Sequence, residues 1–461
     1  MSPESKSQTL TGLRTFFASG KTRDIDFRID QLKKLKEGIR KYEPEIMASL
    51  YEDLRKPPFE SYASEIGILY TEIDHVIRHL RSWSCTRRVA TPIIHFLSRS
   101  YVYQEPYGVV LIIGPWNYPL QLVIAPLIGA MAAGNCVLIK PSEFSPATSA
   151  TIEKMINELF EPDYITAYQA EAEATKQLLD EKFDYIFFTG STVVGRIIMT
   201  AAARHLTPVT LELGGKSPAI VHEDASLNYG IKRLAWGKFF NAGQTCIAPD
   251  YVLIHRKIKD IFLARMIKTI RGFYGEDPMS SPDYARIINE RHFDRLLHLM
   301  NSGWIIHGGT YQRKDLYIAP TIINQVSGNE PLMQDEIFGP LLPLIEYSDI
   351  DEAIAFVNQK PRPLALYCFS ENKKIQDKVL GETSSGGGCI NDTISHIGSQ
   401  ELPFGGVGDS GMGAYHGKFS FDTFTHPRGI LFRSNLVDIP LRYPPYRDRV
   451  SLLQLLFRFI R

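Results

Sequence analysis

From Gly108 onward the chain alternates short apolar runs with longer stretches of helical periodicity, and this alternation constrains the fold more than any other feature. Runs of about three to five residues stand at 109–113, 136–139, 185–188, 209–211 and 219–221. Between them, 122–133, 149–159, 174–179 and 196–205 read as helices. Strands joined through helices pair in parallel, so the expected fold class is α/β with a doubly wound sheet. A second alternating region spans about 217–394 and includes an amphipathic helix near 227–240 with Asp224 as its expected cap. The first ~80 residues read as helical: Ile29, Leu32, Leu35 and Ile39 recur on one face among Lys, Arg and Glu. Two short β-like runs, 100–104 and 429–433, fall outside both units. Their expected role is to pair with each other and carry a sheet across a subunit boundary.

Composition narrows the class. A chain of 461 residues suggests two or three domains. Its 51 Lys+Arg balance 51 Asp+Glu, so no global field calls for nucleic acid. Five cysteines without a CxxC pair make no disulfide framework and point to a reducing, cytoplasmic setting. The N-terminus lacks a basic region followed by an apolar one, so no secretory signal is expected. The long uncharged stretch 106–139 would attract a hydropathy scan, but Gly114-Pro115 and Pro119 break any spanning helix, as does Pro126. It reads as strand, turn, helix and strand.

Several segments carry candidate chemistry, each with a plainer alternative. Phe188-Thr189-Gly190-Ser191-Thr192-Val193-Val194-Gly195 lies between an expected strand and helix. Free N–H groups and the positive helix end there suit a phosphate, unless the glycines only make a tight turn. It is not a P-loop, because Arg196-Ile197 follows where Lys-Ser/Thr is required. Lys140-Pro141-Ser142-Glu143 follows a strand, where α/β sheets bind ligands and such side chains reach ribose hydroxyls. Alternatively it opens a helix, since Ser145-Pro146 follows. Cys246 ends the polar loop Asn241-Ala242-Gly243-Gln244-Thr245-Cys246, whereas Cys136 and Cys389 stand in apolar runs. A loop thiol near backbone donors is the better nucleophile, a buried structural thiol the alternative. Nothing ties His255 to it as a Cys–His pair would need. Glu212, between Leu211 and Leu213 and before Gly214-Gly215-Lys216, reads as a desolvated general base or as the partner of Lys216. Glu336-Ile337-Phe338-Gly339-Pro340 alone is only a turn.

Taken together and in order, these motifs, with Pro115-Trp116-Asn117-Tyr118-Pro119 and Pro403-Phe404-Gly405-Gly406, resemble the NAD(P)-dependent aldehyde dehydrogenases along essentially the whole chain. Ala248-Pro249-Asp250-Tyr251 and Gly411-Met412-Gly413-Ala414-Tyr415-His416-Gly417-Lys418 resemble the class 3, or fatty aldehyde dehydrogenase, branch. The resemblance implies a Rossmann-like NAD(P)-binding domain (1–84 and 107–212) and an α/β catalytic domain (213–400). It adds bridging, oligomerisation strands (85–106 and 415–440) and an apolar, basic tail (441–461). It implies Cys246 as the nucleophile, forming a thiohemiacetal and then a thioester. Asn117 and the Cys246 N–H would form the oxyanion hole, where one donor is worth on the order of 3–4 kcal/mol. Glu212 would activate water for hydrolysis. Trp116, Lys140, Glu143, Gly190, Ser191, Val194, Gly195, Leu213, Glu336 and Phe338 would bind the cofactor, and Tyr118, Phe404 and His416 would line the substrate pocket. No metal is expected. NAD is the expected cofactor, with NADP accepted, because Glu143 repels a 2′-phosphate while Lys140 offsets it. Ser191, Ile247 and Asp409 stand where this branch often has Asn, Val and Asn; none of the three touches the chemistry.

The expected partner is a small-molecule aldehyde, medium- to long-chain and apolar, and the expected assembly is a homodimer. Isoprenoid, retinoid-like or aromatic aldehydes are the alternative substrates. Thioester release to coenzyme A is disfavoured because acylating relatives lack the glutamate found here as Glu212. A non-catalytic relative is disfavoured by the presence of Cys246. From 442 to 461, five arginines face one aspartate around the apolar run 450–460. That tail is too short to span a bilayer. It would pack on a subunit, gate the substrate entrance or lie on a membrane surface.

Overall fold

The computed structural model describes residues 3–438, 442–446 and 449–459. Among these, the strands Val109–Ile113, Cys136–Lys140, Ile165–Ala167, Tyr185–Thr189 and Val209–Glu212 form one parallel sheet. Its order runs from Val209–Glu212 through 185–189, 109–113 and 136–140 to 165–167, and Gly411–Met412 adds antiparallel beside Val209–Glu212. Four of these strands are buried along their whole length, which explains continuous apolar runs instead of alternation. The helix Gln121–Ala133 is buried on every side, so the uncharged stretch is strand, turn, helix and strand inside a core. Among the described residues no helix is long and apolar enough to cross a membrane.

A second sheet has the order Trp304–His307, Thr321–Asn324, Leu341–Tyr347, Tyr251–His255, Pro218–Val221, Ala365–Phe369, Gly387–Ile390. Only Trp304–His307 runs antiparallel to its neighbour. The N-terminal region is helical as expected. Ile25–Leu54 buries Ile29, Leu32, Leu35 and Ile39 and packs against Pro146–Leu159 of the first sheet's cover. The two orphan runs do pair: Ser98–Pro106 and Thr425–Arg433 are antiparallel through nine residue pairs, with Arg87–Val89 on the far side.

Three local expectations are corrected. The helix expected from 196 begins at Thr192, because the Ser191 hydroxyl accepts the Val194 N–H and caps it. Val194 and Gly195 therefore belong to the helix and not to the turn. Asp224 does not cap Leu227–Phe239. Its carboxylate accepts from the Ser370 hydroxyl at 2.8 Å and the Glu371 N–H at 3.1 Å, beyond the end of a neighbouring strand. The strand Ile165–Ala167 was not anticipated, since three residues at a sheet edge carry too short a pattern.

Candidate active site

The C-terminal ends of the first sheet's strands and the segments that lead into strands of the second sheet open on one cavity of about 590 Å³. Trp116, Asn117, Gly190, Ser191, Glu212, Leu213, Cys246, Glu336 and Phe338 all line it. Residues more than 200 positions apart thus converge because parallel strands keep like ends together: loops leaving the first sheet, at 115–117, 190–196 and 213–215, meet segments entering the second, at 246, 334–338 and 361–362.

The cysteine loop is held by its backbone. After the helix Leu227–Phe239, Asn241 and Ala242 both adopt the left-handed region, with φ of 51° and 52°. Gly243 follows at φ 74°, and a Cβ there would stand 2.3 Å from the Gly339 carbonyl oxygen. Only glycine fits that approach. Gln244 anchors the turn, donating to the Asn241 and Arg286 carbonyls at 3.0 and 2.9 Å and accepting from Ile288 N–H at 3.0 Å. The Tyr367 hydroxyl donates to the Ile247 carbonyl at 2.5 Å. Burial, with Glu336 and Glu212 nearby, pushes the Cys246 thiol well above its usual range, opposed by its own and the Ile247 N–H. Asn117 Nδ2 donates to the Gln244 carbonyl at 3.1 Å. That bond uses one of its two hydrogens.

Glu212 ends its strand and is 2% exposed, and neither carboxylate oxygen has a hydrogen-bond partner. Burial alone raises its pKa well above the ordinary carboxylate range. The alternative pairing with Lys216 does not form. Lys216 pairs with Asp250 and donates to the carbonyls of Leu332 and Asp335. Glu336 is pushed up to about 8 by burial and by Asp250, against the Gly215 N–H, Lys216 and Arg295. Its carboxylate lies where a Cβ on Gly214 would be, 1.9 Å from Oε2, so a side chain at 214 would displace it.

The features at the mouth suit a dinucleotide. Ser191 opens a 12-residue helix whose N-terminus faces the cavity, and Leu213 fills the space a Cβ on Gly195 would need. The Thr189 hydroxyl, buried beside it, has no partner. Trp116 and Phe338 meet edge to face with centroids 5.2 Å apart, Phe338 at φ 49°. Lys140 and Glu143 pair with each other and do not line the cavity. The backbone of Lys140 is tied to the loop that does, its carbonyl accepting the Gly114 N–H at 3.0 Å, next to Pro115-Trp116.

Not every expected residue reaches the cavity. Tyr118 is buried behind the cysteine, its hydroxyl 2.5 Å from Thr245 Oγ1. Phe404 and His416 sit in an aromatic cluster with Tyr415 and His396 outside the cavity lining. Val194 is partly exposed on its helix. Conversely, His292 and Arg295 line the cavity without having been anticipated. Arg295 donates to the carbonyls of Glu336 (3.3 Å) and Ile337 (2.6 Å), and burial lowers His292 to about 4. They stand on the helix Glu290–Met300, whose amphipathic pattern does not set these cavity-lining side chains apart from ordinary surface charge.

The family model described as "Aldehyde dehydrogenase family" matches residues 14–430. The chain belongs to the aldehyde dehydrogenase family. It is 48% identical over 447 residues to the 4,4'-diaponeurosporen-aldehyde dehydrogenase of Staphylococcus aureus, covering 96% of this chain and 97% of that one. It is also 48% identical to the dimeric, NADP-preferring aldehyde dehydrogenase of Mus musculus, covering 95% and 97%. The solved structure of the substrate-bound state of Staphylococcus aureus AldH superimposes with a TM-score of 0.96 at 47% identity, covering 98% of this chain and 99% of that one. As an aldehyde dehydrogenase the chain is an oxidoreductase acting on aldehydes, and the family uses NAD(P).

Proposed function

We propose that this aldehyde dehydrogenase oxidises medium- to long-chain apolar aldehydes to carboxylic acids with Cys246 as nucleophile. The observation that carries the reading is the convergence of Cys246, Asn117 and Glu212 on one cavity. The Cys246 thiol passes its proton to water as Sγ bonds to the aldehyde carbon, and the electron pair of the carbonyl π bond moves onto its oxygen. The free N–H of Asn117 and the backbone N–H of Cys246 stabilise the oxyanion that develops. A bound NAD(P) supplies a hydride acceptor, which no side chain of the cavity can provide. Gly190, Ser191, Val194, Gly195 and Leu213 would hold its pyrophosphate end. Glu336, Phe338 and Trp116 would hold the nicotinamide end, and Lys140 with Glu143 the adenosine ribose. The oxidised adduct on Cys246 is a thioester. Glu212, held proton-hungry by burial and free of protein hydrogen bonds, takes a proton from the water that cleaves it.

Lys140 is engaged by Glu143, which leaves a carboxylate beside the ribose and favours NAD, with NADP accepted. An aldehyde like the one in the Staphylococcus aureus relative's name is the second substrate reading. The free edge Thr425–Arg433, with Leu431 and Phe432 exposed, supports a homodimer joined through the three-stranded sheet, in keeping with the dimeric Mus musculus relative. All five cysteines are free, which favours a reducing, cytoplasmic setting. In the tail, Leu441, Arg447, Asp448, Ile460 and Arg461 lie outside the described residues. The helix Val450–Phe459 exposes Leu452, Leu453, Leu455 and Phe457, which favours a cover other than its own protomer, a membrane surface among them.

The test is a kinetic panel of aldehyde chain lengths and aromatic aldehydes, with NAD and NADP side by side, on the parent and Cys246→Ala. Turnover should rise with chain length in the parent and vanish in the variant. Aldehyde oxidation by Cys246→Ala at the parent rate would sink the mechanism.

A further inference from the structure

The loops carrying Asn117 and Cys246 follow strands or helices of different sheets, and a fully buried ion pair from a third part of the chain sits where they meet. Lys56 and Glu65 are each 0% exposed and pair with each other. Removing one partner of such a pair leaves a lone buried charge and is strongly destabilising. Here the pair spends its remaining bonds on the Asn117 loop. Lys56 Nζ donates to the Asn117 carbonyl at 3.0 Å and stands 4.2 Å from the Tyr118 ring centroid. Glu65 Oε2 accepts the N–H of Leu120 at 3.0 Å and of Gln121 at 3.2 Å. From the other side, Asn241 Nδ2 donates to the same Asn117 carbonyl at 3.0 Å and to the Gln244 carbonyl at 3.2 Å. The Asn241 N–H is itself tied to Glu60 Oε2 at 2.9 Å.

The Asn117 peptide plane is thus fixed by two donors, one from a buried ammonium and one from the cysteine loop. Its side chain inherits that orientation, one N–H on the Gln244 carbonyl and the other left for the cavity. We propose that Lys56, paired with Glu65, is a positioning residue that acts with Asn241 to aim the Asn117 amide at the carbonyl oxygen of an aldehyde on Cys246. This rests on the oxyanion reading of Asn117. Neither Lys56 nor Glu65 lines the cavity, so their influence on the rate passes through Asn117.

Lys56→Met combined with Glu65→Gln removes both charges together, so no lone buried charge remains. Single-turnover aldehyde oxidation at saturating cofactor is measured in the full-length parent, this pair variant, Asn117→Ala and all three changes together. The expected result is a loss of about a hundredfold in the pair variant. Cofactor Kd should stay near the parent's, and the Asn117→Ala background should show no further loss. An equal loss in both backgrounds overturns the proposal, because the pair would then act independently of Asn117. A parent-like rate in Asn117→Ala overturns the oxyanion reading itself, and the proposal with it. Should the pair variant fail to fold, Asn241→Gly enters the same cycle with the same two outcomes. It keeps the left-handed backbone and removes the other donor to the same carbonyl.

Discussion

A carboxylate with no hydrogen-bond partner at 2% exposure is an expensive group to keep, and Glu212 is such a group. Its raised pKa means that the ionised, proton-accepting form gains population only as pH rises beyond the ordinary carboxylate range. If it acts on thioester hydrolysis alone, Glu212→Gln keeps a burst of reduced cofactor while steady turnover collapses by about a hundredfold or more. The rise of kcat with pH in the parent should flatten in the variant. Rapid-mixing absorbance at the reduced-cofactor band reads both, and equal loss of burst and turnover would count against a role confined to deacylation. Neighbours in sequence did not reveal this environment. Leu211 and Leu213 suggest an apolar setting, but Lys216, four residues on, offered an equally simple partner until Asp250 was seen to take it.

At the scale of elements, caps come from places that local sequence does not indicate. Ser145-Pro146 reads as a helix start, yet the Ser145 side chain makes no cap bond. Asp53, at the end of the long N-terminal helix, accepts from Ala147 N–H at 3.1 Å, Thr148 N–H at 2.8 Å and the Thr148 hydroxyl at 2.7 Å. Asp53→Ala is expected to cost about 1–2 kcal/mol in urea unfolding, with kcat unchanged. A stability equal to the parent's would show that the cap is idle. Helix Gly67–Trp83 makes a similar long-range tie, since Glu72 Oε1 accepts the Gly417 N–H at 2.7 Å. Burial raises Glu72 to about 7 against that bond. The folded protein then holds a proton that the unfolded chain releases above its ordinary value of 4.5. The contribution is complete below that pH and is lost as pH rises through about 7. Glu72→Gln keeps an acceptor for Gly417 but cannot titrate. Unfolding free energies at about pH 5 and about pH 8 should differ less in the variant, by up to about 3 kcal/mol. An unchanged difference would assign the pH dependence to other buried carboxyls with raised pKa: Glu60 and Glu336, each at about 8, and Glu212.

Over the whole molecule, the neutral total conceals a basic, apolar end. Deleting residues 450–461 should leave kcat for a short aldehyde intact and reduce co-sedimentation with anionic vesicles. Unchanged partition would remove the membrane reading and leave the tail to a partner subunit. Two parallel sheets, the helical N-terminus and the pairing of the distant runs near 100 and 430 were legible, because strand length, apolar continuity and helical periodicity are local quantities. Residue type and neighbours made Cys246 and Glu212 candidates beside plainer alternatives, while Asn117 entered only through the resemblance that the ordered motifs carry together. Only the tertiary structure could decide what faces what. It brought those three to one cavity and left Phe404 and His416 outside its lining. It also added His292 and Arg295, and set the buried Lys56–Glu65 pair behind Asn117. The reason is physical: a side chain's type and periodicity are written along the chain. Its burial, its partner and the direction of its donors arise only when segments hundreds of residues apart pack together.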